Sequence, residues 1–171
     1  MTYAFANIKN NNAVKMQPSL PRATYLALLL DAQKEAPVIG RTRLDKLLFL
    51  VQMRAVVELR IGIATDDYHF RSWWFGPFTE EIIDDLVALQ TVGMVEVIGE
   101  DEETQEFRIS EKGHLALENI RRMNLIPMPL LEQIEKIKSR YNRMNLEDLM
   151  RSVYNDYPQF TERSRIRDSL M

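Results

Sequence analysis

Cysteine is absent from the 171-residue chain, which excludes disulfides, thiolate nucleophiles and thiolate zinc sites together. Histidine occurs only twice, as His69 and His114, so imidazole chemistry has two seats at most. Long apolar runs are missing as well. Leu26–Leu30 and Leu47–Val51 fall far short of the ~20 residues that cross a bilayer, and the first twenty residues hold no signal-like apolar core. A non-membrane, cytoplasmic protein is therefore expected. The six glycines form neither a phosphate-cradling loop nor a nucleophile elbow, and no internal repeat or heptad run appears.

With 46% hydrophobic residues, the chain is long enough for one domain with a substantial core. Residues 1–21, rich in Asn and without periodicity, are expected to form a flexible arm. The alternative is an arm docked through Tyr3 and Phe5. Residues 22–160 are expected to form a single domain and 161–171 a tail. Charge is unevenly spread, because residues 79–111 carry eleven acidic side chains against one basic.

Pro21 suits a helix entrance, and Tyr25, Leu28, Leu29 and Ala32 repeat at helical spacing from about Arg22 to Glu35. After Pro37 and Gly40, Thr42 and Asp45 have the spacing of a capping box for a second helix. Its stripe is Leu44, Leu47, Leu48, Val51, Ala55 and Leu59, and it should end near Gly62. Tyr68–Phe75 reads as a short strand that turns at Gly76-Pro77 into Thr79, the N-cap of a third helix. That helix should bury Ile82, Ile83, Leu86 and Leu89 and expose Glu80, Glu81, Asp84 and Asp85. Alternation in Val95–Val97 and Phe107–Ile109 predicts a hairpin. Ser110 caps a fourth helix, although Gly113 weakens its first turn. Further helices follow, with one face formed by Leu130, Ile134, Ile137 and Tyr141 and another by Leu149, Met150, Val153, Tyr154 and Tyr157. Asn145 and Asp148 read as a cap-and-return pair, and Pro158 is the stop.

This order predicts an α+β, mainly helical chain: a winged-helix-like core with a β-hairpin and additional C-terminal helices. The segments Gly40-Arg41-Thr42-Arg43-Leu44-Asp45-Lys46-Leu47-Leu48-Phe49-Leu50, Phe70–Pro77, Thr79–Leu89 with Gly93-Met94-Val95, and Tyr154-Asn155-Asp156-Tyr157-Pro158 resemble the YwgA-like family of bacteria and archaea. That resemblance implies the fold and no particular reaction. Leu44–Gln52 and Trp74-Phe75-Gly76-Pro77-Phe78 are more loosely similar to Panacea-type, SocA-like antitoxin domains, some of which act through protein partners.

Asp66, Asp67 and His69 are the best candidates for a metal or proton relay, and a metal-dependent hydrolase or nuclease is the least favoured reading. Their short spacing brings no distant third ligand, and a solvated loop is the simpler account. His114 reads as ordinary structure, and no cofactor is expected. Arg41, Arg43, Lys46 and Arg71, with Arg54, would form a modest basic patch for phosphate if the second helix packs on the central strand. Trp73 and Trp74 cannot both bury from one strand, so one is expected to lie exposed. That Trp, Phe75 or Phe78 could anchor a protein or stack on a base.

The expected function is regulatory or adaptor association with an unidentified, basic partner, antitoxin-like in kind and not enzymatic. The partner would be met by the aromatic ridge Trp73, Trp74, Phe75 and Phe78 or by Glu80, Glu81, Asp84 and Asp85. A winged-helix DNA-binding regulator is the alternative, using Arg41, Arg43 and Lys46 or the Arg163, Arg165 and Arg167 tail, since an acidic third helix and wing should repel phosphate. A homodimer with a solvated negative surface is the bland competitor.

Overall fold

Apolar residues fill Tyr25–Leu30 and Leu47–Val51 without a polar break, which suits helices covered on every side. The structure, a computed structural model, describes residues 19–170. It places these runs on α1 (Ala23–Glu35) and α2 (Arg41–Val51), where every residue from Thr24 to Asp31 and from Leu44 to Val51 is buried. Four longer helices pack around this pair: α3 (Glu81–Thr91) and α4 (Glu111–Arg122) against α1, α5 (Met128–Tyr141) against both central helices, and α6 (Leu146–Asp156) against α2. Burying one Leu, Val or Phe is worth about 1.5–3 kcal/mol, so the central pair anchors the fold.

The strands form two small sheets in a mainly helical α/β chain. β1 (Val38–Ile39), β4 (Val95–Ile98) and β5 (Glu106–Ile109) lie in the order β1-β5-β4, antiparallel throughout, with Val38 opposite Phe107 and Val95 opposite Ile109. β2 (Arg71–Trp73) and β3 (Gly76–Phe78) form a separate ribbon between α2 and α3. The expected hairpin between Val95 and Ile109 is present.

Ser110 and Asn145 cap α4 and α6 through their side chains, and Thr79 Oγ1 accepts the Glu81 N–H at 3.3 Å. Thr42 does not cap α2. The Arg41 N–H instead donates to the Glu102 carbonyl at 2.8 Å, so the turn between β4 and β5 supplies the acceptor that a side chain was expected to provide. Gly113 is buried beneath the Met94 carbonyl, and a Cβ there would lie 2.2 Å from that oxygen. The helix-weakening residue is therefore what lets α4 approach β4.

Four expectations are corrected. The second helix passes into a π-helical stretch at Gln52–Glu58, whose wider turns shift the stripe and leave Leu59 exposed. Tyr68–Phe75 is no single strand: Trp74-Phe75 is the hairpin turn, and Pro77 sits within β3 opposite Ser72. The first helix loses its right-handed form at Ala32, and Gln33, Lys34 and Glu35 turn left-handed at φ 56°, 52° and 59°. Finally, residues 161–170 fold back onto the β2–β3 ribbon instead of trailing as a tail. Arg163 N–H donates to Ser72 Oγ, Arg165 N–H donates to the Trp74 carbonyl, and Leu170 in α7 (Arg167–Leu170) is buried. The predicted arm lies outside the described residues except for its last three, of which Leu20 bridges to Ala64.

Candidate functional site

The two sequence segments with the strongest local patterns meet face to face. Lys46, on α2, is buried and donates from Nζ to the Pro77 carbonyl of β3 at 2.9 Å. Burial lowers its pKa to about 8, with Asp45 opposing the shift. Asp45 is buried beside it and accepts from Arg41 Nε at 2.7 Å. Burial pushes the Asp45 carboxyl up, and the Arg41 and Lys46 charges counter this only in part. Arg41 Nη2 is buried without a hydrogen-bond partner among the described residues.

Above this charged floor the ribbon stacks its aromatic residues. The Trp73 and Trp74 rings lie 5.4 Å apart at 12°, and Phe78 continues the stack 6.3 Å from Trp73. The two tryptophans share a side because Trp74 is a turn residue, not a strand residue. Gly76 makes this turn possible at φ 87°, and a Cβ there would lie 2.6 Å from the Tyr154 ring. Arg71 covers Trp73 at 4.7 Å, and Arg165 covers Trp74 at 3.6 Å. Trp74 and Phe75 nevertheless remain 43% and 49% exposed, which identifies Trp74 as the outward tryptophan.

Beneath the turn a small pocket of about 250 Å³ is lined by Arg41, Asp45, Lys46, Trp73, Trp74 and Glu102. A larger cleft of about 960 Å³ shares Thr42, Phe75 and Glu103 with it and runs to Pro37, Ile39, Asn142, Leu146, Met150 and Ile166. This volume lies in the range of built ligand sites. Asn142 Nδ2 donates to the Pro37 carbonyl at 3.0 Å, whereas its Oδ1 is buried and unpartnered among the described residues.

The expected basic patch does not stand as an open surface. Lys46 is buried, Arg43 donates to the Tyr141 and Met144 carbonyls at and just past the end of α5, Arg71 is stacked and pairs with Glu80, and Arg54 pairs with Asp156. The acidic face of α3 is also largely neutralised. Glu80 pairs with Arg71, Glu81 with Arg22 and His69, and Asp85 with Arg22, which leaves Asp84 unpaired among the described residues. Ile83 and Val87 are exposed between these pairs, contrary to the inward placement expected for Ile83.

Asp66 and His69 do gain a distant third group. His69 Nδ1 lies 2.9 Å from Glu81 Oε1, and Asp66 is adjacent, so the three could present ligand atoms to an ion. Arg22 enters the same space, 3.0 Å from Glu81 and 3.5 Å from Asp66. Hydrogen bonding to Glu81 raises the His69 pKa, and the Arg22 guanidinium already lies against these carboxylates. Asp67 stands outside the group.

A second group was not anticipated. Asp31, Glu35 and His114 converge where α1 turns left-handed, with His114 Nδ1 2.6 Å from Asp31 Oδ1 and Arg121 Nη2 2.6 Å from Asp31 Oδ2. Buried Lys138 closes the end of α1 by donating to the Leu30 and Ala32 carbonyls, both at 2.8 Å. Local spacing does not reveal the group, because α1 supplies Asp31 and Glu35, α4 supplies His114 and Arg121, and α5 supplies Lys138.

No family model and no curated protein matches the chain. No helix among the described residues is long and apolar enough to cross a membrane.

Proposed function

We propose that this protein is a regulatory or adaptor module, antitoxin-like in kind, that acts by binding another protein through the aromatic turn and the cleft beside it, and that it is not an enzyme. The observation that carries this reading is the position of Trp74 and Phe75, two large rings half exposed on a two-residue turn at the mouth of a cleft. Aromatic anchors flanked by arginine are the side chains that dominate protein interfaces, and here Arg165 covers Trp74 while Arg71 covers Trp73, on which Trp74 stacks, so the Trp74 ring is held before any partner arrives. Glu100, Asp101, Glu102 and Glu103, between β4 and β5, make no ion pair among the described residues and favour a basic partner. Two of the segments that carry the resemblance to YwgA-like and SocA-like domains also wall the site.

The winged-helix reading is supported by α1, β1, α2, α3 and a three-stranded sheet in the order β1-β5-β4. It gives the DNA-binding regulator its place as the second reading. Against it, α3 offers Ile83, Val87 and Asp84 to the groove, and the β4–β5 turn offers four carboxylates to the phosphates.

Affinity capture from the native host tests both readings. Trp74→Ala and Phe75→Ala should each lose a specific protein partner while keeping the wild-type melting profile. A salt-dependent shift of a defined DNA site without any protein partner would install the DNA-binding reading instead.

A further inference from the structure

The cleft exposes a strand edge that no other strand pairs with among the described residues. β1 is the outer strand of its sheet, paired only with β5, and the Gly40 N–H donates inward to the Gln105 carbonyl at 2.9 Å. Backbone groups alternate along an antiparallel ladder, so Val38 and Gly40 face β5, whereas Pro37 and Ile39 face away. The Pro37 carbonyl confirms the direction, because it is taken from the cleft side by Asn142 Nδ2. Ile39 thus turns its N–H and C=O toward the cleft, whose lining it joins, and the residue is 49% exposed.

Three further features say what fits. Phe75, Leu146, Met150 and Ile166 give the cleft an apolar wall wide enough for a large side chain. Asn142 Oδ1 and Arg41 Nη2, one an acceptor and the other a donor, are buried without partners among the described residues, a costly arrangement unless something satisfies them. The charges have a polarity: Glu102 and Glu103 stand at the Trp74 end, and exposed Arg143, unpaired among the described residues, lines the other.

We propose that the cleft takes an extended segment of a partner protein, which adds to the outer edge of β1 at Ile39. One large apolar side chain seats between Phe75 and Met150, and a lysine or arginine points toward Glu102 and Glu103. Main-chain bonds to an exposed edge supply affinity in this mode, and side-chain pockets supply specificity. The inference rests on the protein-association reading and adds its occupant.

The test is selection of a displayed library of random peptides, about twelve residues long, on the full chain, followed by anisotropy titration of the best synthetic peptide. Enriched sequences should pair a large apolar residue with a nearby Lys or Arg. Ile39→Pro removes an N–H that β5 does not use together with the Ile39 side chain, which Ile39→Ala removes alone as the control, and edge strands tolerate such a proline. It should weaken binding at least about tenfold, as should Phe75→Ala, and Glu102→Lys with Glu103→Lys should move the preference to acidic peptides. If Ile39→Pro fails to fold, N-methylation at alternate peptide residues reads the same main-chain bonds.

Equal binding by Ile39→Pro, and by the peptide methylated at either alternate set, overturns strand addition. No enriched peptide, together with a native partner lost in Phe75→Ala, overturns the inference and leaves the association reading standing. No peptide and no such partner ends both. A wild-type dimer that Ile39→Pro and Phe75→Ala make monomeric assigns the cleft to a second copy and overturns the proposal.

Discussion

Lys46 donates to the Pro77 carbonyl across 2.9 Å, and this bond ties α2 to the ribbon that carries the aromatic turn. The ammonium is buried, and its pKa falls to about 8 from an ordinary 10.5. A group whose pKa is lowered on folding holds its proton longer in the unfolded chain, so stability rises with pH between those two values. Against Lys46→Met, which lacks the titration, wild type should gain about 1 kcal/mol between about pH 7.5 and 9 in denaturant unfolding. A stability difference flat across that range would show that the ammonium is not desolvated.

Gly76→Ala places a methyl group against the Tyr154 ring and forces a side chain into the left-handed region. The expected loss is about 2 kcal/mol or more, from strain and overpacking together. Because Tyr154 also bonds Ser164 at 2.6 Å, the same variant should loosen residues 161–170. Hydrogen exchange of the Arg165 amide, which is bonded to the Trp74 carbonyl, checks this directly.

The hydrogen bond to Asp31 holds His114 protonated above its ordinary 6.5. Its contribution to stability is complete below 6.5 and disappears as pH rises through the folded value. An NMR titration should give a pKa above 6.5 for His114 and a lower one in Asp31→Asn. An unchanged His114 titration in that variant would remove Asp31 as the cause.

Much of the fold was legible in local sequence. Ser110 and Asn145 cap the helices they were expected to cap, and Val95–Ile109 forms the hairpin that its alternation implies. The errors occur where tertiary partners replace local ones. The spacing of Thr42 to Asp45 fits a cap, yet the carbonyl of Glu102, sixty residues away along the chain, does that work. Local spacing makes Asp45 the return residue of a capping box and Lys46 part of a basic patch, but α2 is enclosed on all sides and takes both into the interior.

The candidate site was legible as residues and not as an arrangement. Trp73–Phe78 stood out, but period-two reasoning placed the two tryptophans on opposite faces because it did not foresee the turn at Trp74-Phe75. Leu146, Met150 and Ile166 complete the cleft from the C-terminal part of the chain, and nothing local marks them as its wall. The neutralisation of α3 was equally hidden, since Arg22 reaches Glu81 and Asp85 from about sixty positions away.

The most direct test of partner binding at the aromatic turn is photocrosslinking in the native host, with a photoreactive phenylalanine derivative placed at Phe75 and, in a parallel variant, at Ile83 on α3. The account predicts a discrete protein adduct from position 75 and little or none from position 83. An adduct that forms from position 83 alone, or one to nucleic acid at either position, would contradict it.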